Sequence, residues 1–118
     1  MIQMSGLIDV HAHILPGVDD GAKSMRETRE MLEMAWEQGI REIIATPHYV
    51  CGGNRGSAED VRDIVRQVQE DGRASDPEFY IYSGDEVLYF GSMTEERREG
   101  RMLTLGDSRY VLVEFDDN

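Results

Sequence analysis

Residues 7–22 read Leu-Ile-Asp-Val-His-Ala-His-Ile-Leu-Pro-Gly-Val-Asp-Asp-Gly-Ala, an apolar strand that runs into two histidines and two aspartates. Side chains two positions apart in a strand point to the same face, so we expect His11 and His13 to converge on one point. The Pro-Gly turn that follows allows Asp19 or Asp20 to bring a carboxylate back toward them. This spacing favours a metal chelate over a strand that merely ends in polar residues.

Strand and helix patterns alternate along the rest of the chain. Ser24 and Glu27 form a capping box, which predicts where the first helix begins. The predicted elements are strand 7–10, helix 25–38, strand 40–46, a helix that follows Ser57 and ends at Gly72, strand 79–83, a short charged helix at 94–100 and strand 109–115. This order predicts an α/β fold with parallel strands and right-handed crossovers, in a barrel or an open sheet.

Polar residues follow the later predicted strands at the point where each strand ends. His48 follows the second strand, Glu86 follows the third, and Glu114 lies near the end of the fourth. Each of them alone is typical of a loop histidine or a solvated carboxylate. Ligands of parallel α/β folds gather at the carboxyl ends of the strands, so together with His11 and His13 they predict one shared site.

The predicted ligands offer nitrogen and oxygen atoms and no thiolate. They are His11, His13, Asp20, His48, Glu86 and Glu114. This set suits Mn²⁺, Fe or Zn²⁺, and its carboxylates are numerous enough to bridge two or three ions. Such centres polarise a phosphoryl oxygen and lower the pKa of a bound water to about 7, which predicts phosphate-ester hydrolysis by that water with no protein nucleophile. Asp9 and Asp19 are expected to hydrogen-bond the ligands rather than to bind the ions.

Composition excludes several classes of partner. The 118 residues carry 12 basic and 24 acidic side chains, a net charge of −12, which disfavours nucleic acid and anionic lipid. No apolar run approaches the ~20 residues of a membrane span, so no membrane insertion is expected. Cys51 is the single cysteine, so no intrachain disulfide can form. We therefore predict a cytoplasmic protein of about one domain, shorter than the ~250 residues of a closed (β/α) barrel.

A cysteine-phosphatase loop is an alternative phosphatase chemistry. Cys51 and Arg55 lie in a glycine-rich segment, as the nucleophile and the phosphate-binding arginine of such loops do. Those loops place the arginine six positions after the cysteine, where this chain has Ser57. The spacing therefore argues against a thiolate nucleophile.

The chain resembles the N-terminal half of the bacterial PHP-domain tyrosine phosphatases, the CpsB/CapC/YwqE group of capsule and exopolysaccharide synthesis. The resemblance spans almost the whole chain after residue 6. It is carried by Ile-Asp-Val-His-Ala-His-Ile-Leu-Pro-Gly-Val-Asp-Asp-Gly-Ala (8–22), Ala-Thr-Pro-His (45–48), Gly-Asp-Glu-Val (84–87) and Leu-Gly-Asp-Ser-Arg-Tyr-Val-Leu-Val-Glu-Phe (105–115). The first and last of these motifs are specific to the group.

The resemblance implies a distorted TIM-like barrel, of which this chain holds the first half (β-α-β-α-β-α-β). Residues 7–118 would form the N-terminal part of a single PHP domain, after a flexible start at 1–6 that is either a natural terminus or left from expression. The six predicted ligands would belong to a three-metal centre, usually of manganese. The implied substrate is phosphotyrosine in the tail of a bacterial tyrosine kinase. Tyr49 departs from the group, in which a basic residue commonly follows the histidine.

Members of the group continue for roughly as many residues again and supply further ligands and phosphate-binding arginines. We therefore expect the chain to be a fragment with an incomplete site, rather than a truncated product that self-associates through its open sheet edge. Two other functions stay open: a small-molecule phosphatase of the histidinol-phosphate type, and a non-catalytic metal-binding or kinase-docking module.

Overall fold

A computed structural model describes residues 6–53, 55–72 and 78–115 of the chain. Most of the predicted flexible start, residues 1–5, lies outside this part. The elements are β1 (Leu7–Ala12), α1 (Met25–Glu37), β2 (Ile40–Ala45), β3 (His48–Tyr49), α2 (Ala58–Gly72), β4 (Tyr80–Ser83), β5 (Glu86–Leu88), α3 (Met93–Arg98), a 3₁₀ turn (Leu105–Asp107) and β6 (Leu112–Glu114). No helix in the described ranges is long and apolar enough to cross a bilayer.

The strands are parallel, as predicted, but they form two sheets. One has the order β1-β2-β4 and the other the order β3-β5-β6. The structure has six strands where the sequence predicts four, because the second and third predicted strands each break and resume. Pro47 interrupts the second strand because it has no N–H to donate. At the other break, a Cβ on Gly84 would lie only 3.0 Å from Ile44 Cγ2, so a larger residue would crowd that side chain.

Local capping determines where the two long helices begin. Ser24 accepts a hydrogen bond from the Glu27 N–H at 3.3 Å, and α1 spans all but the last residue of its predicted range. Ser57 and Asp60 cap α2 reciprocally, because the side chain of each accepts from the backbone N–H of the other. Both helices therefore begin where short-range sequence patterns place them.

The main core lies between the sheet β1-β2-β4 and the helices α1 and α2. Its largest fully buried side chains include Leu15, Ile43, Val61 and Val68, each of which contributes about 1.5–3 kcal/mol through burial. Thr28 of α1 is also fully buried, and its hydroxyl donates to the Ile14 carbonyl at 2.5 Å. The helix is thereby attached to the loop that follows β1.

The ends of three elements differ from their predicted positions by two residues or more. β1 continues to Ala12 rather than ending at residue 10, and α3 occupies 93–98 rather than 94–100. The last strand was predicted over 109–115, but β6 covers only Leu112–Glu114. The residues before β6 form a turn instead of a strand. In this turn the Tyr110 N–H donates to Ser108 Oγ, and the Tyr110 carbonyl accepts from the Leu105 N–H.

Candidate metal centre

The two histidines of the first motif meet at their ring nitrogens. His11 lies near the end of β1, His13 lies just beyond it, and their Nε2 atoms are 3.2 Å apart. The rings are nearly perpendicular, at 69°. Two nitrogens this close together can both bind one metal ion, which would replace their contact with each other.

Glu86 is the carboxylate that all three histidines face. It begins β5 and is buried, with 7% of its surface exposed. Its oxygens lie 2.7 Å from His11 Nε2, 3.3 Å from His13 Nε2 and 3.0 Å from His48 Nδ1. Its backbone N–H donates to the Pro47 carbonyl at 2.8 Å. Glu86 is therefore the centre of the cluster.

His48 connects this group to two further carboxylates. Its Nδ1 lies 3.2 Å from Glu114 Oε1, and its Nε2 lies 3.4 Å from Asp20 Oδ1. Its ring also stacks on that of His13, with centroids 4.4 Å apart. The six residues predicted as ligands are thus brought to one place at the carboxyl ends of the strands.

Asp19 holds two of the histidines. Its Oδ2 lies 2.8 Å from His13 Nδ1 and accepts the His48 backbone N–H at 3.1 Å, while its Oδ1 accepts the Gly21 N–H at 2.9 Å. A carboxylate on Nδ1 favours the tautomer in which Nε2 is free to bind a metal. Asp9 acts differently, because its carboxylate accepts the His11 backbone N–H rather than contacting the ring.

The pKa shifts of Asp19 and His48 show that contacts within the cluster outweigh the effect of burial. Burial raises the pKa of Asp19, but hydrogen bonds from His13, Gly21 and His48 outweigh it and leave the pKa below its ordinary value. Burial lowers the pKa of His48, but the carboxylates of Glu114 and Glu86 outweigh it and leave the pKa raised. In the described ranges, the cluster's carboxylates form ion pairs only with histidines, so the site has an excess of negative charge.

The donor atoms form three groups, each with all of its members within 4.8 Å of one another. The groups are His13, Asp19, Asp20 and His48; His11, His13 and Glu86; and His48, Glu86 and Glu114. They share His13, His48 and Glu86, as expected where neighbouring ions use common ligands. Imidazole nitrogens and carboxylate oxygens are the donors that Mn²⁺, Fe and Zn²⁺ accept, so the residues present fit a centre of such ions. Asp19 belongs to one of these groups, although the sequence suggested only a supporting role for it.

Tyr49, at the position where a basic residue was expected, points away from this cluster. Its side chain is buried, its hydroxyl donates to Glu96 at 3.1 Å, and its ring lies 4.6 Å from the guanidinium carbon of Arg55. Burial, followed by the contact with Glu96, raises the pKa of Tyr49 to about 12. Tyr49 is therefore a packing residue beside the candidate metal centre.

The surroundings of Cys51 disfavour the reactive thiolate form of its side chain. Its Sγ donates to Glu96 at 3.1 Å, and this contact, with burial and the charge of Glu96, raises the pKa of the thiol. The guanidinium of Arg55, the arginine of the alternative cysteine mechanism, is bound to Asp85. The geometry therefore gives no support to a thiolate nucleophile.

Cys51 should accordingly react slowly with iodoacetamide at pH 8, and Glu96→Gln should accelerate that reaction severalfold. The substitution removes the negative charge that keeps the exposed thiol protonated. The rate of carboxamidomethylation, followed by mass spectrometry, measures the effect. Glu95→Gln, which removes a charge from an exposed position of the same helix, is the matched control. Equal rates of carboxamidomethylation in Glu96→Gln and Glu95→Gln would contradict the conclusion that Glu96 keeps the thiol protonated.

The fold and the cluster together define a parallel α/β protein with a candidate metal centre at the carboxyl ends of its strands. The family model for capsular polysaccharide synthesis proteins, CpsB/CapC, matches residues 7–118. The chain belongs to this family.

Named relatives agree with this family. The chain is 36% identical to the tyrosine-protein phosphatase YwqE of Bacillus subtilis and 35% identical to the tyrosine-protein phosphatase CpsB of Streptococcus pneumoniae. Each alignment covers 92% of this chain, but only 43% of YwqE and 45% of CpsB. The chain therefore spans less than half the length of these relatives.

A solved structure matches over the same extent. It comes from the crystal structures of YwqE from Bacillus subtilis and CpsB from Streptococcus pneumoniae, which are described as unique metal-dependent tyrosine phosphatases. The TM-score is 0.87 at 35% identity, with 93% of this chain and 44% of that chain covered. This match confirms the predicted α/β class with parallel strands and agrees with a partial barrel.

Proposed function

We propose that the chain carries the metal-binding part of a metal-dependent protein-tyrosine phosphatase that acts in capsule or exopolysaccharide synthesis. The observation that supports this most directly is the meeting of three imidazoles at the buried carboxylate of Glu86. Relatives named as tyrosine phosphatases share the fold that produces this meeting point. His11, His13, Asp20, His48, Glu86 and Glu114 are the proposed ligands, with Asp19 and Asp9 as their supports.

The charge of the cluster explains why cations are needed. The carboxylates of Asp19, Asp20, Glu86 and Glu114 would repel a phosphate ester in the absence of bound cations. A divalent cation supplies compensating charge, polarises a phosphoryl oxygen and lowers the pKa of water to about 7. The combination of hard carboxylate oxygens and imidazoles favours Mn²⁺ as the native metal, in two or three sites.

We propose the phosphorylated tail of a bacterial tyrosine kinase as the substrate. The names of the relatives specify phosphotyrosine in proteins, which favours a peptide over a small phosphate ester. Release of phosphate from a phosphotyrosine peptide by the complete protein is the direct assay, with Mn²⁺ or chelator added, since this chain spans less than half the length of its named relatives. His11→Ala should abolish the Mn²⁺-dependent rate, and Arg26→Ala, at an exposed site on α1, should not change it.

Three outcomes would overturn this proposal. An equal rate in chelator would exclude the metal centre. Faster hydrolysis of histidinol phosphate than of the peptide would favour the small-molecule phosphatase. Binding of fewer than two ions with no hydrolysis would favour the non-catalytic module.

Affinity for Mn²⁺ should fall as the pH is lowered from 8 to 6. Only neutral imidazole binds a metal, and the pKa of metal-free His48 lies above its ordinary value, so protons compete with the ion already near neutral pH. Conversely, the stabilising interaction of charged His48 with the carboxylates is fully present below the unfolded-state pKa and is lost as the pH rises through the folded-state pKa. The metal-free and metal-bound proteins should therefore show opposite trends of stability with pH.

Titration calorimetry at several pH values measures this dependence. His48→Gln should bind Mn²⁺ more weakly, and its affinity should vary less with pH because one competing proton is removed. An affinity that stays constant between pH 8 and pH 6 in the unmodified protein would contradict the involvement of His48.

A further inference from the structure

A buried ion pair between Arg55 and Asp85 lies next to the candidate metal centre. The guanidinium Nε and Nη2 atoms donate to the two oxygens of Asp85, each at 2.8 Å. Arg55 is 8% exposed and Asp85 is fully buried. The remaining hydrogen bonds also go to buried or backbone groups: Arg55 donates to the carbonyls of Gly56 and Arg101, and Asp85 accepts the Leu103 N–H at 2.8 Å.

Each partner of this pair is connected to a proposed metal ligand. Asp85 directly precedes Glu86, and successive side chains of an extended segment point in opposite directions. Asp85 accordingly faces Arg55, while Glu86 faces the histidines. On the other side, the Arg55 guanidinium lies over the ring of Tyr49, which directly follows His48.

We infer that Arg55 is a positioning residue, which holds Glu86 and His48 in register through Asp85 and Tyr49. β3 and β5 pair His48 with Glu86 and Tyr49 with Val87, so a single guanidinium contacts the chain neighbours of both ligands. This inference rests on the proposed metal centre and assigns a role to a pair that touches no predicted ligand side chain.

The chemistry of the pair favours positioning over stability alone. Replacement of a buried ion pair by apolar side chains of similar volume is often neutral or stabilising, so stability by itself is a weak reason for such a pair. A bidentate guanidinium–carboxylate pair fixes both direction and distance, which an apolar contact does not. Metal ligands require placement to within about 0.5 Å, and directional hydrogen bonds provide it.

Arg55→Lys tests the inference, because it keeps the charge next to Asp85 but removes the planar fork. We expect the affinity for Mn²⁺ to fall by about 10- to 100-fold, the usual effect of residues that orient metal ligands. The visible absorption of bound Co²⁺ should also change, since it reports the geometry of the ligands. Asp85→Asn is the second variant, which keeps the size of the side chain and removes its charge.

Val61→Ala is the matched control for loss of stability alone. Val61 is fully buried in the main core and belongs to none of the proposed donor groups. It should lower the Tm while leaving the Mn²⁺ affinity within about twofold and the Co²⁺ spectrum unchanged. Circular dichroism at the titration temperature verifies that each variant is folded.

The outcomes separate this inference from the proposed function. If the unmodified chain binds no Mn²⁺, the proposed metal centre fails. If it binds Mn²⁺ and both Arg55→Lys and Asp85→Asn retain its affinity and Co²⁺ spectrum, the positioning role is wrong. The role is also wrong if affinity in all three variants simply follows the loss of Tm.

Discussion

Replacing Glu86 by glutamine is expected to weaken Mn²⁺ binding by at least about 100-fold, more than the 10- to 100-fold typical of residues that only support metal ligands. The Glu86 oxygens face all three histidines at 2.7–3.3 Å, so the substitution affects every imidazole of the cluster. Glutamine presents one neutral oxygen and one NH₂ group, which donates hydrogen bonds and cannot bind a metal, in their place. Isothermal titration with Mn²⁺ measures the loss.

The same substitution should remove the stabilisation that the metal provides. At a Mn²⁺ concentration 100 times the Kd, the unmodified protein should gain about 2.7 kcal/mol of unfolding free energy, and Glu86→Gln should gain almost none. Glu59→Gln is the matched control, because Glu59 is exposed on α2 and belongs to none of the donor groups. Retention of the Mn²⁺ affinity within threefold in Glu86→Gln would contradict its central position.

Gly21→Ala is expected to lower the unfolding free energy by about 3 kcal/mol, at the upper end of the range for overpacked sites. A Cβ at this position would lie 2.1 Å from the carbonyl oxygen of His13 and 2.6 Å from its Cβ. The backbone cannot easily yield, because the Ala22 N–H donates to the same carbonyl at 3.1 Å. The loop would have to move away from His13 and take Asp19 with it, so Mn²⁺ affinity should fall as well.

Urea denaturation compares this variant with Gly91→Ala. A Cβ on Gly91 would meet no atom within 4 Å, so that change should alter stability by no more than about 0.5 kcal/mol. Equal stability of the two variants would show that the loop does not pack against His13 as described.

Short-range features of this fold could be predicted from the sequence. The Ser24–Glu27 capping box placed the start of α1 at Met25, as observed, because its contacts lie within one turn. The convergence of His48 and Glu86 was also predictable, since the carboxyl ends of parallel strands share one edge. The alternation of strand and helix patterns, which indicates parallel strands, was the basis of that prediction.

Long-range features were not predictable in the same way. The break at Pro47 was expected to end a strand, but the new sheet that begins at His48 depends on pairing with Glu86, 38 positions away. The Arg55–Asp85 pair spans 30 positions, and no local pattern marks the two residues as partners. The sequence did contain one indication of this pair. Asp85 directly precedes Glu86, so in an extended segment one of the two carboxylates must face away from the metal site and needs a cationic side chain as its partner.

Anomalous diffraction from crystals soaked in Mn²⁺ tests most directly whether the chain forms one metal centre. We predict a peak within about 2.0–2.4 Å of His11 Nε2, His13 Nε2 and a Glu86 oxygen, with a further peak between His48 and the carboxylates of Asp20 or Glu114. Manganese found only elsewhere on this acidic surface, with His11 and Glu86 still in contact with each other, would contradict the account.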